Sequence, residues 1–510
     1  MDFREVAVTM DAVLAGFSVA LQPWNLLFCL MGCLVGTLVG VLPGLGPVAA
    51  ISILLPTTFK AGPIAGIIML AGIYYGAMYG GSITSILVNL PGEAASVVTC
   101  IDGYQMARQG RAGPALGICA IGSFIGGTLS VLGLMLVAAP LADAALAFGP
   151  PEYFGLMTIG MVVVTFLAGK SMTKSLLMAA VGIFLGCVGM DVISAKPRFT
   201  LGLGFLEDGL GLVPVIMGLY GIAEVFSNLE DTLKVSILDT KIQGIWPTGD
   251  DFRRSIGPIL RGTGLGFFTG VLPGGGAVLS SFLSYGMEKK LSREPQRFGS
   301  GAIEGVAGPE TANNAATGGA FIPLFILGLP FNVVSAVLLG AMIIYGVRPG
   351  PMLLSTDPGL FWGVVASMYV GNAMLLVLNL PLVGLWVKML KIPYPLFFPL
   401  IVLFCLIGVF SINHNINEIY VMLAFGVVGY LLRKFEYEAA PLILAMVLGP
   451  MYENALRQSL IMSDGSYGIF FSRPLSATCL IFAALLLIVP HVRRVTLWRK
   501  KAIEFAEADG

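Results

Sequence analysis

Within eight residues, the stretch GPETANNAATGG (308–319) writes a carboxylate, two amides and two hydroxyls: Glu310, Thr311, Asn313, Asn314 and Thr317. The sequence around it is strongly apolar. Amides and hydroxyls can donate to the oxygens of a carboxylate ligand, or turn their own oxygens on a cation such as sodium. An ionisable group at membrane depth is costly, and by default a candidate cation ligand or proton carrier. A second polar set lies in YGGSITSILVNLPGEAAS (79–96), with Ser82, Thr84, Ser85 and Asn89, then Glu93, and Asp102 soon after. Glu93, Asp102, Glu304 and Glu310 are therefore the cation-coupling candidates. A plainer reading stands beside this one. Ser, Thr and Gly let membrane helices pack closely, and Glu304 and Glu310 could cap helices from a solvated loop behind the basic run 289–297.

Such groups must be held at breaks in helices, and the sequence writes one break twice. GVLPGLGPVAA (40–50) returns 230 residues later as GVLPGGGAVLS (270–280). Gly and Pro inside apolar segments are tolerated only where freed backbone groups find partners in protein or in a water-filled cavity. The phrase thus predicts a broken helix or the tip of a re-entrant hairpin in each copy. Paired interruptions of this kind point to a secondary transporter's binding site, with half-helix N-termini directed at an anion. Pro43, Gly44 and Gly46 in the first copy, and Pro273, Gly274, Gly275 and Gly276 in the second, join the substrate-binding candidates.

The repeat continues beyond its opening phrase. SITSILVNLPGEAAS finds its counterpart in AFIPLFILGLPFNVVS, and GRAGP (110–114) in VRPGP (347–351). Two halves are expected, 1–235 with motif region 40–114 and 236–510 with motif region 270–351, forming a single integral membrane unit. Loop charges predict how they are oriented, since Lys and Arg concentrate in cytoplasmic loops. The loop after the first phrase has only Lys60, whereas the second has Lys289, Lys290, Arg293 and Arg297. Counting helices back from the basic C-terminus puts Arg111 inside and Arg348 outside. The halves read as inverted.

Composition agrees with a bilayer. Of 510 residues, 56% are hydrophobic and 11% charged, against about 25% charged in a soluble chain. Many apolar stretches approach the ~20 residues of a membrane helix, and the alternation of a transmembrane barrel is absent. The expected fold is an all-α polytopic membrane protein with two inverted repeats, broken helices or re-entrant hairpins, and roughly 10–14 membrane segments. Lys plus Arg equals Asp plus Glu at 29 each, so no basic surface for nucleic acid is indicated. The acidic N-terminus does not read as a cleaved signal. Two histidines give little support to a zinc or haem site. Cys29 and Cys33 share a helical face, as a thiol pair or as small packing residues. No HExxH, GxSxG or GxxxxGK[ST] occurs, so neither an enzyme nor an ATP-driven pump is expected. A channel built from broken helices is the alternative, with an intramembrane enzyme behind it.

Four stretches carry a family resemblance: GVLPGLGPVAAISILLPTTF, YYGAMYGGSITSILVNLPGEAASVVTCIDGYQMARQG, EGVAGPETANNAATGGAFIPLFILGLP and AVLLGAMIIYGVRPGPML. The chain resembles the large membrane subunit of the tripartite tricarboxylate transporters, the TctA family. The resemblance implies a multi-pass protein of the bacterial inner membrane working with a small four-helix membrane subunit and a periplasmic solute-binding protein. It implies uptake of an organic carboxylate, driven by a Na+ or H+ gradient without nucleotide hydrolysis. Apart from that coupling ion, no cofactor is expected; a homodimer is one assembly that stays open. Phe331 departs from the family's glycine at that place, where the first copy has Gly92. From the distribution of polar residues, the motif regions are expected to move as one body against apolar helices in 153–190 and 397–490, elevator-fashion. Rocking of the two halves is the runner-up.

Overall fold

The computed structural model describes residues 10–42, 46–167, 171–191, 193–230, 244–274, 276–389 and 398–488. The C-terminal basic cluster, residues 231–243 of the linker, and Pro43, Gly44 and Gly275 lie outside them. The described chain forms two compact units, one from residues 1–146 and 210–435, the other from 147–209 and 436–510. It is an all-α, multi-pass membrane protein. Five described helices are long and apolar enough to cross a bilayer, and seven shorter apolar ones accompany them.

The first unit opens with α1 (Met10–Ala20), α2 (Pro23–Val41), α3 (Gly46–Thr58), α4 (Pro63–Val88), α5 (Val97–Arg108) and α6 (Ala112–Ala145). Pro23 and Pro63 start their helices where an amide hydrogen would have no partner. The chain then enters the second unit through α7 (Pro150–Leu167) and α8 (Met172–Gly186), followed by a short antiparallel ladder of Gly189–Met190 with Pro197–Arg198. It returns to the first unit with α9 (Leu212–Ile216), a π-helical turn, and α10 (Ala223–Glu230).

After the linker come α11 (Gly249–Val271), α12 (Gly276–Leu291), α13 (Glu304–Ile322), α14 (Val333–Ile344), α15 (Leu353–Thr356), α16 (Pro358–Asn379), α17 (Val383–Met389), α18 (Phe398–Asn413) and α19 (Ile416–Lys434). A reciprocal Thr248–Asp251 capping box starts α11, which explains a helix beginning on a polar stretch. The second unit is completed by α20 (Ala440–Met462), α21 (Ile469–Ser472) and α22 (Pro474–Ile488). Its loop after α8 is tied by Asp191 to Arg457 at 2.9 Å and by Arg198 to Glu453 at 2.7 Å.

The core of the first unit is α4, of whose most apolar window 94% is buried. A helix buried all round needs neighbours that come close, and glycines let them. On α2, a Cβ at Gly32, Gly36 or Gly40 would lie 2.3, 2.6 or 2.3 Å from the carbonyl oxygens of Met69, Ile73 and Ala77 on α4. On α11, Gly262, Gly266 and Gly270 meet those of Gly308, Ala312 and Ala316 on α13 at 2.5, 2.1 and 2.2 Å in the same way. The two glycine triplets are themselves 230 residues apart, so the sequence repeat extends to how its helices pack.

Directions follow from the same contacts. In both pairs the residue numbers rise together, so α2 runs parallel to α4, and α11 to α13, with α3 and α12 intervening in the chain. Ser82 of α4 bonds Glu310 of α13, while Tyr74 faces Phe321 with ring centroids 6.1 Å apart. Hence α4 and α13 are antiparallel. α13 is also gripped by a helix from the first half of the sequence, and α2 by one from the second. Against α13, α6 places Gly122 at Thr311 and Ser130 at Gly318. Against α2, α16 offers the Ser367 and Gly371 carbonyls to Cys29 and Cys33. Both thiols are free and buried, in packing positions.

Candidate functional site

The doubled phrase ends two helices for one physical reason. Proline disfavours helical geometry in the residue before it, and Leu42 (φ −93°, ψ 108°) and Leu272 (φ −79°, ψ 143°) are both extended just beyond α2 and α11. Each chain restarts a helix at a glycine with positive φ, Gly46 at +58° and Gly276 at +47°, a conformation that costs glycine nothing. The result is two helix hairpins, α2–α3 and α11–α12, bounded at their turns by Leu42 and Gly46 and by Leu272 and Gly276.

A second tip stands beside each first one. α4 ends at Asn89 (φ +57°), and the π-helical turn after α13 at Gly328 (φ +68°). A Leu-Pro pair follows in both. Glu93 (φ −146°, ψ 165°) and Asn332 (φ −145°, ψ 168°) then cap the next helical segment, accepting from Ala95 N at 2.6 Å and Ser335 N at 2.8 Å. A Cβ on Gly92 would lie 1.9 Å from the Gly40 carbonyl oxygen, so only glycine fits there. At the equivalent Phe331, the backbone carbonyl instead accepts from Gly274 N at 2.9 Å. The two tips of the second copy are thus joined through the Phe331 backbone, with the Phe331 side chain buried.

Glu310 sits at the centre of the polar set and is fully buried. Its carboxylate accepts from Ser82 Oγ at 2.6 Å, from Asn313 Nδ2 at 3.2 Å and from Thr99 Oγ1. Three elements converge on it: α4, the start of α5, and its own helix. All three partners are neutral, and among the described residues no salt bridge reaches Glu310. Hydrogen bonds to a charged group contribute about 1.5–3 kcal/mol each, against a desolvation cost of several kcal/mol for an ion. Asn314 extends the set by donating to Ser123 Oγ on α6 at 2.8 Å and to the Asn313 side chain at 2.6 Å.

The remaining candidates divide. Thr84 Oγ1 donates to the Val41 carbonyl at 2.9 Å and ties α4 to the first break. Ser85, Thr311 and Thr317 spend their hydroxyls on carbonyls of their own helices. Glu93 keeps one buried oxygen, Oε1, without a partner, and Gly81 beside Ser82 leaves room for its side chain. Asp102 is a hook: Oδ1 accepts from the amides of Gly299, Gly301 and Ala302 at 2.8–2.9 Å, and Oδ2 from Tyr285 at 2.9 Å. Glu304 pairs with Arg254 at 2.7 Å.

Several members of the site were not singled out from the sequence. Thr99 completes the cradle of Glu310. Tyr79 donates to Asn372 on α16, whose amide reaches the Phe124 carbonyl and Thr128 on α6 at 2.8 Å. Asn379 donates to Leu375 O at 2.9 Å and leaves Oδ1 bare. The signal was available: Asn372 and Asn379 are two helical turns apart on one face of an apolar helix. Between these groups lies a cavity of about 10 Å3, lined on its polar side by Tyr79, Ser82, Ser123 and Asn379. That is room for roughly one water molecule. Among the described residues, no group of three or more His, Cys, Asp or Glu is gathered as for a metal.

Comparison with known proteins places this chain in a family. Residues 26–444 match the tripartite tricarboxylate transporter TctA family. The "Uncharacterized 52.8 kDa protein in TAR-I ttuC' 3'region" of Agrobacterium vitis is 50% identical over 481 residues, which covers 94% of this chain and 96% of that one. The "Uncharacterized protein in TAR-II ttuC' 3'region" of the same organism is 50% identical over 231 residues, 45% of this chain and 96% of its own. No solved structure matches.

Proposed function

This chain belongs to the tripartite tricarboxylate transporter TctA family, and from that premise we propose that it carries out secondary active uptake of an organic di- or tricarboxylate across a bacterial inner membrane. It is a membrane transporter, and membership of a tripartite family implies partner subunits. Our reading of those partners is a small four-helix membrane subunit and a periplasmic binding protein that delivers the carboxylate. A Na+ or H+ gradient drives the step.

One observation carries the reading: the buried Glu310–Ser82–Thr99–Asn313 cluster, lodged between two glycine-proline hairpins. Neutral polar groups and a carboxylate at membrane depth cost stability, and such groups mark binding sites and ion pathways by default. Cations would engage the carboxylate and amide oxygens, and the substrate the amide and hydroxyl donors with the hairpin backbones. Glu93, at the first tip, is the second carboxylate in this assignment. Asp102 and Glu304, occupied by amides and Arg254, hold the framework.

The antiparallel course of α4 and α13, each with its own parallel glycine-packed partner, supports inverted repeats for the two halves. The cavity beside Ser82 is too small for a carboxylate, so binding requires opening. The candidate site lies wholly within residues 10–146 and 210–435, as a body that moves in one piece requires. An elevator-like displacement is our preferred motion.

The test is concentrative uptake in proteoliposomes with the cognate binding protein, screening mono-, di- and tricarboxylates with and without Na+. Accumulation above electrochemical equilibrium is expected. Dissipative flux alone would make the chain a channel, and chemical change of the solute an enzyme. Asn313→Ala and Asn314→Ala should weaken uptake by about 5- to 150-fold, the equivalent of 1–3 kcal/mol. Wild-type uptake by both would reduce the PETANN stretch to a packing turn.

A further inference from the structure

We propose that the small cavity between α4, α6 and α16 is a monovalent-cation site, selective for Na+, that uses neutral oxygens as ligands. The inference deepens the transport reading by naming its coupling ion and its place. It rests on where the hydrogens point. Tyr79 commits its hydroxyl hydrogen to Asn372, and Ser82 commits its own to Glu310. Asn379 commits an amide hydrogen to Leu375 O, and its Oδ1 has no hydrogen-bond partner although the residue is 4% exposed. Ser123 Oγ already accepts from Asn314.

Tyr79, Ser82 and Asn379 can therefore turn oxygen lone pairs on the cavity, whose other walls are Ser123, Cys119 and the apolar Ile83, Leu116 and Ala120. Three acceptors at one side of so small a space suit a ligand without lone pairs of its own. A water's two hydrogens meet two of the three, and a bare Na+ engages all of them. The counter-charge is one bond away, since Glu310 lies directly behind Ser82 at 2.6 Å. The ligands come from both motif surroundings, Tyr79 and Ser82 on α4 and Asn379 on α16. Any opening of the unit that parts these helices dismantles the site, which is the requirement for coupling ion release to movement.

The test uses the purified full-length chain in detergent and radioactive 22Na+ binding at constant ionic strength, with choline as the replacement cation and K+ and Li+ as competitors. Saturable Na+ binding is expected, with an accompanying rise in thermal stability. Tyr79→Phe keeps the ring and removes one ligand. Asn379→Leu keeps the volume and removes another. Either should weaken Na+ binding by about 10- to 100-fold, the usual range for damage to a metal site. Size-exclusion profiles identify a variant that has lost its fold, and the wild-type measurement decides the question without it. Absence of Na+ binding by the wild type, or equal binding by both folded variants, overturns the proposal and leaves a water-filled cavity. Carboxylate uptake that persists without Na+ would then still uphold the transport reading. Na+ binding by a chain that accumulates no carboxylate would uphold the site and sink that reading instead.

Discussion

Ser82 and Glu310 stand 228 residues apart in the chain, and the hydroxyl of the first donates to the carboxylate of the second at 2.6 Å. The bond joins the two motif regions at a point shielded from solvent, through helices that run in opposite directions. It is the contact through which the proposed site draws on both motif regions.

Removing that bond should be felt in uptake before it is felt in folding. Glu310→Gln keeps the shape of the side chain and removes its charge; Ser82→Ala removes one donor. A hydrogen bond to a charged group contributes about 1.5–3 kcal/mol, so Ser82→Ala should reduce the apparent affinity of coupled transport by roughly 10- to 150-fold. Uptake assays on folded protein in proteoliposomes check this. Wild-type transport by both variants would strip the cluster of its assigned role.

The glycine packing makes a sharper, purely structural claim. At Gly266 a Cβ would sit 2.1 Å from the Ala312 carbonyl oxygen, and at Gly264 it would meet nothing within 4 Å. Gly266→Ala should lower stability by about 1–3 kcal/mol through overpacking. Gly264→Ala, two residues away, should be neutral or slightly stabilising. Thermal unfolding followed by tryptophan fluorescence separates them, and equal melting temperatures would contradict the parallel α11–α13 contact.

Topology can be read with single cysteines. The inverted arrangement expects a cysteine at position 60 to react with an impermeant maleimide from the periplasm, and one at position 293 only after permeabilisation. Cys100 and Cys187 are partly exposed and are replaced by alanine in the background chain. Labelling of both positions from the same side would reject inversion.

Acid should loosen the loop after α8. Arg457 beside Asp191, with the amides of Ser194 and Ile193, holds that carboxyl well below the usual carboxylate range. A depressed folded-state pKa adds stability above the unfolded value near 3.9, and that stability fades as pH falls through the folded one. Wild type should therefore exceed Asp191→Asn in melting temperature at pH 7, with the gap narrowing progressively below about pH 4. A gap that is constant from pH 7 to pH 3 would show that Asp191 acts through packing alone.

The breaks were legible in the sequence because proline and glycine act locally. Leu42 and Leu272 are extended for a reason written in the next residue, and the positive φ of Gly46 and Gly276 needs only the absence of a side chain. The polarity of Glu310 and Asn313 was legible as well, since an apolar background makes such residues stand out. Which partners they take was not. Thr99 looks like any helix-start threonine until α13 brings Glu310 to it. Asp102 carries the same charge as Glu310, yet it is spent on three amides of the loop before α13. Burial and charge can be read from a string; the occupant of a lone pair depends on tertiary contact.

The grip of α6 on α13 and of α16 on α2 sets an order of events during synthesis. At about 5–20 residues per second, some 10–45 s separate the appearance of Ser82 from that of Glu310. Until then Ser82 and Thr99 have only water, lipid headgroups or their own helix carbonyls to bond. Asn372, which will fill the space beside Tyr79, is made later still. The newborn N-terminal segment therefore waits as an open cradle, and α13 and then α16 close a centre whose first walls are already in place. A substitution at Glu310 thus meets the cell's quality control at the moment of closure, long after the residues it was meant to hold have entered the bilayer.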